Sequence, residues 1–378
     1  MGKRRIVNLS INNGQAPLKK IMREKSIANI KHFSYIFREP NRRILFKKNI
    51  GSLVKSLKSL NTLELLFFNS QLNQDDFIIS NRFIHFLKNS TKLDRLKISV
   101  AASKLEQKSV IDFKRQLNSK ITSCGVKKLD LKFSEATTLN VVFVTIGYFL
   151  PYFRGGLKEL SIDLSYNIKV ESDFQNFDQF ATALTRLDKL EKLILKFYRS
   201  KKSGSQLMAL GTSLAKMKTL KHLELNIPKW EQLDTFQITY FLRVLANLTN
   251  LQVFILILDC PERVENFFTN QLEEKFEDFS HIKYCKIHLK SSAVIKSSLK
   301  TFLTSFLKSP EIQHFDLDEY LFKKSSVLIR KELDHLFRFC SNLKSLSLDF
   351  VEENPFTEHD DPPFIEDSFR LLSNLERL

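Results

Sequence analysis

The chain has 378 residues, 43% of them hydrophobic, with 59 Lys or Arg against 42 Asp or Glu and a net charge of +17. That hydrophobic content suits a folded protein. The longest apolar runs, such as Val141 to Leu150, are too short to span a bilayer. The four cysteines, Cys124, Cys260, Cys285 and Cys340, have no CxxC spacing and suggest neither a disulfide framework nor a zinc site.

The charge is uneven. Residues 1–50 hold thirteen Lys or Arg against two acids, a net +11, which leaves +6 for the other 328 residues. Residues 1–25 read as a flexible basic tail, because Gly14 and Pro17 discourage a continuous helix. Lys3, Arg4, Arg5, Lys19, Lys20 and Arg23 are its candidate anion-binding residues, for RNA, an acidic protein surface or a lipid headgroup layer. The bland alternative is a solvated tail with no dedicated partner. A mitochondrial presequence is a third reading, since no acid precedes Glu24, but its apolar face is poorly formed.

Residues 26–59 read as helical and partly apolar: Ile27, Ile30, Phe33, Ile36 and Phe37, then Ile44, Leu45, Leu53 and Leu57, with Pro40 between the two pieces. This segment is expected to be a helical N-terminal cap on the repeat array that begins at residue 60.

From residue 60 to 378 one eight-residue pattern returns. Its leading apolar position falls at Leu60, Leu93, Val126, Leu157, Leu190, Leu220, Leu251, Ile282, Ile312, Leu343 and Leu375, in steps of 30 to 33 residues. Three, five and seven residues on, further apolar columns run, for example Leu223, Leu225 and Ile227; Glu319 alone interrupts the last of them. Alternate apolar positions make each unit a short strand. Between strands, Leu207, Leu210, Leu214 and Met217, and again Phe241, Leu245 and Leu248, have helical spacing. One strand and one helix cannot bury an apolar face alone, so the units must stack into a parallel sheet with helices on one side.

The units "LKHLELNI", "LKELSIDLSYN" and "LKSLSLDF" resemble leucine-rich repeats of the long, helix-containing, ribonuclease-inhibitor-like kind, over Leu53 to Leu378. The resemblance implies an α/β solenoid, a horseshoe of ten to eleven repeats, with the sheet on its concave side. It also implies a protein-binding role. The strand-capping Asn of such repeats is clear only at Asn167; Ser70, Ser103, Ser200 or Ser292 stand there in other units.

On the concave face, alternating charges from Leu60 to Leu195 should pair across neighbouring strands: Lys97 with Asp130, Lys128 with Glu159, Lys132 with Asp163. The seventh unit differs. Val253, Ile255 and Ile257 hold all three outward positions, flanked by Tyr284 and His222, and form a candidate partner-binding patch. An internal loop covering them is the competing reading. His288, Asp318 and Asp349 fall in one outward column, where a metal or acid–base chemistry is conceivable, though no fourth ligand is evident and a plain polar patch is the commoner outcome.

Residues 351–367 carry seven acids and no Lys or Arg, and Pro355, Pro362 and Pro363 make them a loop. The pattern stops at Leu378 inside a strand unit, so the C-terminal end is expected to be uncapped or truncated. No phosphate-loop, nucleophile-elbow, zinc-protease or dinucleotide fingerprint occurs. The expected function is a non-catalytic scaffold that grips protein partners on its concave face, with no cofactor and no metal. An RNA- or ribonucleoprotein-associated protein anchored by the basic tail is the alternative. Cysteine spacing that suggests no disulfide framework, and the lack of a secretory apolar segment after the start, point to a reducing compartment, the cytoplasm or the nucleus.

Overall fold

The computed structural model describes residues 8–12, 30–37, 57, 59–68, 71–72, 87, 90–101, 104–105, 124–134, 139–165, 176–197, 204–227, 235–245, 247–259, 281–290, 311–319, 342–350, 372 and 374–377. They fall into two compact units, 1–196 and 197–378.

The first unit is built on seven parallel strands: β1 (Asn8–Asn12), β2 (His32–Phe37), β3 (Thr62–Phe68), β5 (Arg95–Ala101), β7 (Lys128–Ser134), β8 (Glu159–Asp163) and β9 (Lys192–Lys196). Two short strands, β4 (Gln71–Leu72) and β6 (Lys104–Leu105), form a separate parallel pair. Register follows the sequence columns: Leu63 faces Leu96, Leu96 faces Leu129, Leu129 faces Leu160 and Leu160 faces Leu193. Those residues are all buried, as are the columns at Leu65, Ile98, Leu131 and Ile162. The side chains between them stay half-exposed on the opposite face, the alternation that a one-sided core imposes on a strand.

Helices α1 (Leu139–Phe149) and α2 (Phe177–Leu184) cover the buried side of this unit. Phe143 of α1 meets Phe177 and Phe180 of α2 with ring centroids 5.2 and 5.5 Å apart. Gly147 lets the two backbones approach: a Cβ there would sit 3.4 Å from the backbone of Gln179 and Phe180.

The second unit repeats the plan with β10 (His222–Ile227), β11 (Val253–Asp259), β12 (Tyr284–Lys290), β13 (His314–Glu319) and β14 (Ser345–Phe350). Leu223, Phe254, Cys285, Phe315 and Leu346 are in register and buried. A bridge from Ser345 to Arg377 adds a further rung. Helices α3 (Gly204–Leu214) and α4 (Thr235–Leu245) pack together, and the residues expected on their inner faces, Leu207, Leu210, Leu214, Phe241 and Leu245, are buried. Gly211 gives Phe241 its seat; a Cβ would stand 3.0 Å from that ring. Each unit is an α/β array of stacked strand-and-helix repeats on a parallel sheet.

One main-chain device recurs at every described step within each unit. The carbonyl of the residue after the leading apolar position accepts two N–H groups from the next repeat. Asp94 O takes Lys127 N and Lys128 N, and Gln252 O takes Lys283 N and Tyr284 N. Five such steps in each unit, at 2.7 to 3.0 Å, hold the strand starts in line without any Asn side chain. Asn167 lies outside the described residues.

The segment 26–59, expected to be helical, contains a strand instead. Ile30, Phe33 and Tyr35 are buried, and β2 pairs with β3 as Phe33 to Leu63 and Tyr35 to Leu65. Ile27, Ile30, Phe33, Ile36 and Phe37 satisfy a helical period, but Ile30, Phe33, Tyr35 and Phe37 equally repeat the phase of Leu60, Leu63, Leu65 and Phe67. The edge of β3 offers unpaired backbone groups, and pairing with them settles the ambiguity in favour of strand. The segment 1–25, expected to be a flexible tail, likewise contains β1, whose Leu9 and Ile11 register with Phe33 and Tyr35.

Candidate functional site: the open sheet face of the second unit

The outward side chains of β10 to β14 stand in three cross-strand rows. The first runs His222, Val253, Tyr284, His314, Ser345. The second runs Glu224, Ile255, Lys286, Asp316, Ser347, and the third Asn226, Ile257, His288. Strand β11 contributes the aliphatic member of each row because its sequence, VFILILD, is apolar on both faces. The inner set, Phe254, Leu256 and Leu258, is buried; the outer set, Val253, Ile255 and Ile257, is half-exposed. His222 and Tyr284 flank Val253 directly, so the five residues expected at the patch come together on three adjacent strands.

The surround is polar and largely self-satisfied. Lys286 Nζ donates to Asp316 Oδ2 at 2.5 Å, beside Ile255 in the middle row. The Tyr284 and His314 rings lie 6.0 Å apart and tilted by 39°. Nε2 of His222 is shut away from solvent. An aliphatic centre thus sits between a strand of hydrogen-bonding groups and a strand that carries an ion pair and an aromatic pair.

Register does place His288, Asp318 and Asp349 in one row, but the two aspartate side chains lie outside the described set. Among the described residues, no three His, Cys, Asp or Glu side chains gather into a metal-holding group. The tail residues Lys3, Arg4, Arg5, Lys19, Lys20 and Arg23, and the acidic segment 351–367, also lie outside the described residues.

The open face of the first unit has a different chemistry. Lys97 Nζ meets Glu64 at 2.7 Å, Arg95 meets Asp130 at 2.7 Å, Lys128 meets Glu159 at 2.8 Å and Lys132 meets Asp163 at 3.4 Å. The last two pairs are those expected from the sequence. Asp130 is instead taken by Arg95, one position diagonal, and Lys97 turns to the strand on its other side. The Lys128 ammonium is held protonated to higher pH by its hydrogen bond to Glu159. Burial works against ionising Asp163, yet the hydroxyl and N–H of Ser165, at 2.5 and 3.0 Å, together with Lys132, hold its carboxyl below the usual range.

A second apolar group was not anticipated. Ile36, Leu66 and Phe68 share the outward side of β2 and β3, next to Ala101, and Phe68 is 38% exposed. The run Leu65–Phe68 in the sequence signals Leu66 and Phe68, but Ile36 joins them only once β2 is a strand.

Cys124 and Cys285 are buried free thiols. Burial pushes Cys124 up to about 11 and Cys285 well above its ordinary value, so both act as small apolar side chains. Among the described residues no helix is long and apolar enough to cross a membrane.

No protein-family model matches this chain, and no curated protein matches it either. Among solved structures it is similar to an internalin (inlF) of Listeria monocytogenes, 14% identical, covering 98% of this chain and 86% of that one with a TM-score of 0.44. It is also similar to internalin C2 (inlC2) of the same organism, 15% identical, covering 86% and 82% with a TM-score of 0.30.

Proposed function

We propose that this chain is a non-catalytic recognition scaffold that holds a protein partner against the open sheet face of its second unit. One observation carries the reading: Val253, Ile255 and Ile257 fill three successive outward positions of β11 between the polar strands β10 and β12. A hydrophobic centre that can be desolvated, with a polar rim around it, is the arrangement recognition surfaces share. Tyr284 adds a rigid ring with a hydroxyl that can donate at the rim. His222 closes the other flank. The main-chain ladder fixes these side chains on rigid strands, so little backbone freedom is lost when a partner docks. The same reading has the protein at work in a reducing compartment, cytoplasmic or nuclear, where buried thiols stay unpaired.

The test is affinity purification of the full-length protein beside its Ile255→Asp variant, with folding checked by circular dichroism. The expected outcome is loss of the co-purifying protein partner from the variant. Undiminished recovery of every partner sinks the proposal.

A further inference from the structure

We propose that a second surface, the turn edge at the N-terminal ends of β10, β11 and β12, binds the phosphodiester backbone of a nucleic acid without reading its sequence. Lys216, Lys218 and Lys221 crowd the turn before β10, and Lys283 precedes β12; all four are exposed. In the three turns that lead into these strands, 215–221, 247–252 and 281–283, there is no Asp or Glu. The middle turn contributes neutral amides, Asn250 and Gln252, both exposed.

The ladder makes this a line and not a scatter. Gln252 N donates to Lys221 O and Lys283 N donates to Gln252 O, each at 2.8 Å. Lys221, Gln252 and Lys283 therefore occupy successive rungs, and the two lysines stand about 10 Å apart along the edge. Lys218 Nζ donates to Asn247 O at 2.9 Å, and Asn250 Nδ2 donates back to Lys218 O at 2.7 Å, which fixes the turn while leaving the ammonium two further donors. Lys283 Nζ lies 3.7 Å from Glu311, with both side chains close to half-exposed, a pairing too weak to hold it against a phosphate.

A line of point charges with interleaved amide donors matches a linear polyanion. A bilayer is disfavoured because the apolar residues of this edge, Met217, Leu220, Leu248, Leu251 and Ile282, are all buried, so nothing is left to insert. The described turns carry no Phe, Tyr or Trp to stack on a base, which restricts the contact to the backbone.

The experiment titrates full-length protein onto a fluorescein-labelled 20-nucleotide oligouridylate at several salt concentrations. Variant Lys216→Glu/Lys221→Glu/Lys283→Glu is compared with the conservative Lys→Arg triple and the neutral Lys→Gln triple, each checked by circular dichroism. Four backbone contacts correspond to a log–log salt slope of about −3. The Glu and Gln triples are expected to lose at least tenfold in affinity at 50 mM salt and about two units of slope, and the Arg triple to bind like wild type. Unchanged affinity and slope in the Gln triple, or equal loss in the Arg triple, overturns the proposal. So does absence of RNA binding alongside saturable binding to polyglutamate or to vesicles with 30% phosphatidylserine.

Discussion

The two open sheet faces have the same backbone and opposite surface chemistry. From β3 to β8 four cation–carboxylate pairs run across the outward side of the first unit, and its outward apolar side chains, Leu66 and Phe68, gather at the β3 end. On β11 of the second unit the outward side chains are three aliphatics in a row. The inward columns barely change: Leu129, Leu131 and Phe133 in one unit match Leu223, Leu225 and Ile227 in the other. The inward set has to fill a shared core, so its chemistry is constrained at every repeat. The outward set answers only to what lies above it. A face that neutralises itself offers little to a partner, whereas one that leaves aliphatics half-exposed does.

The largest expected effect tests the half of this comparison that claims sameness. Leu131→Ala and Leu225→Ala remove equivalent side chains from buried columns, and each should cost about 2–5 kcal/mol in urea denaturation. The chain has two compact units, so each variant is best read as a shift of the transition it affects. Similar shifts would support the equivalence of the cores. A cost under 1 kcal/mol for either would break it.

The inward columns were legible in the sequence because alternation inside an eight-residue block and a step of 30 to 33 residues reinforce each other from Leu60 onward. Strand β2 was not, although Ile30 stands one full step before Leu60. Its apolar residues also fit a helical period, and only the free edge of β3 decides between the two. Strand β1 lies deeper in a basic segment, and Ile6 precedes Ile30 by only 24 residues, off the period. The ion pairs were half legible. Register sets Lys97 between Glu64 and Asp130, and nothing in the sequence says that Arg95 reaches diagonally to claim Asp130. The patch on β11 could be located by counting, since position along a strand fixes which way a side chain points.

A middle-sized effect tests whether the polar face of the first unit stabilises the fold. Asp163 accepts from the hydroxyl and N–H of Ser165 and pairs with Lys132, and its carboxyl titrates lower in the folded state than in the unfolded chain. Such a group contributes stability that is fully present above its unfolded pKa, about 4, and fades as pH falls through the folded value. Asp163→Asn should therefore cost about 1–2 kcal/mol at pH 7. The gap between the two urea midpoints should close as the pH is lowered below 4. A gap that does not change with pH would show that the carboxylate's charge is not what matters.

The smallest effect compares one ion pair from each face. Lys97–Glu64 and Lys286–Asp316 are both Lys–carboxylate pairs in register on adjacent parallel strands, at 2.7 and 2.5 Å. The first has charged neighbours and side chains 43% and 28% exposed; the second borders Ile255 and is less exposed, at 33% and 22%. Exposed pairs couple by about 0.2–1 kcal/mol, and the attraction grows as water is excluded. Double-mutant cycles to Ala should give the larger coupling for Lys286–Asp316. Raising the salt to 1 M should erase more of the Lys97–Glu64 coupling, because screening acts most on charges that water reaches. Equal couplings with equal salt dependence would mean that the aliphatic strand leaves its neighbours as wet as the charged face does. The distinction between the two faces would then be one of composition, with no difference in the water each face excludes.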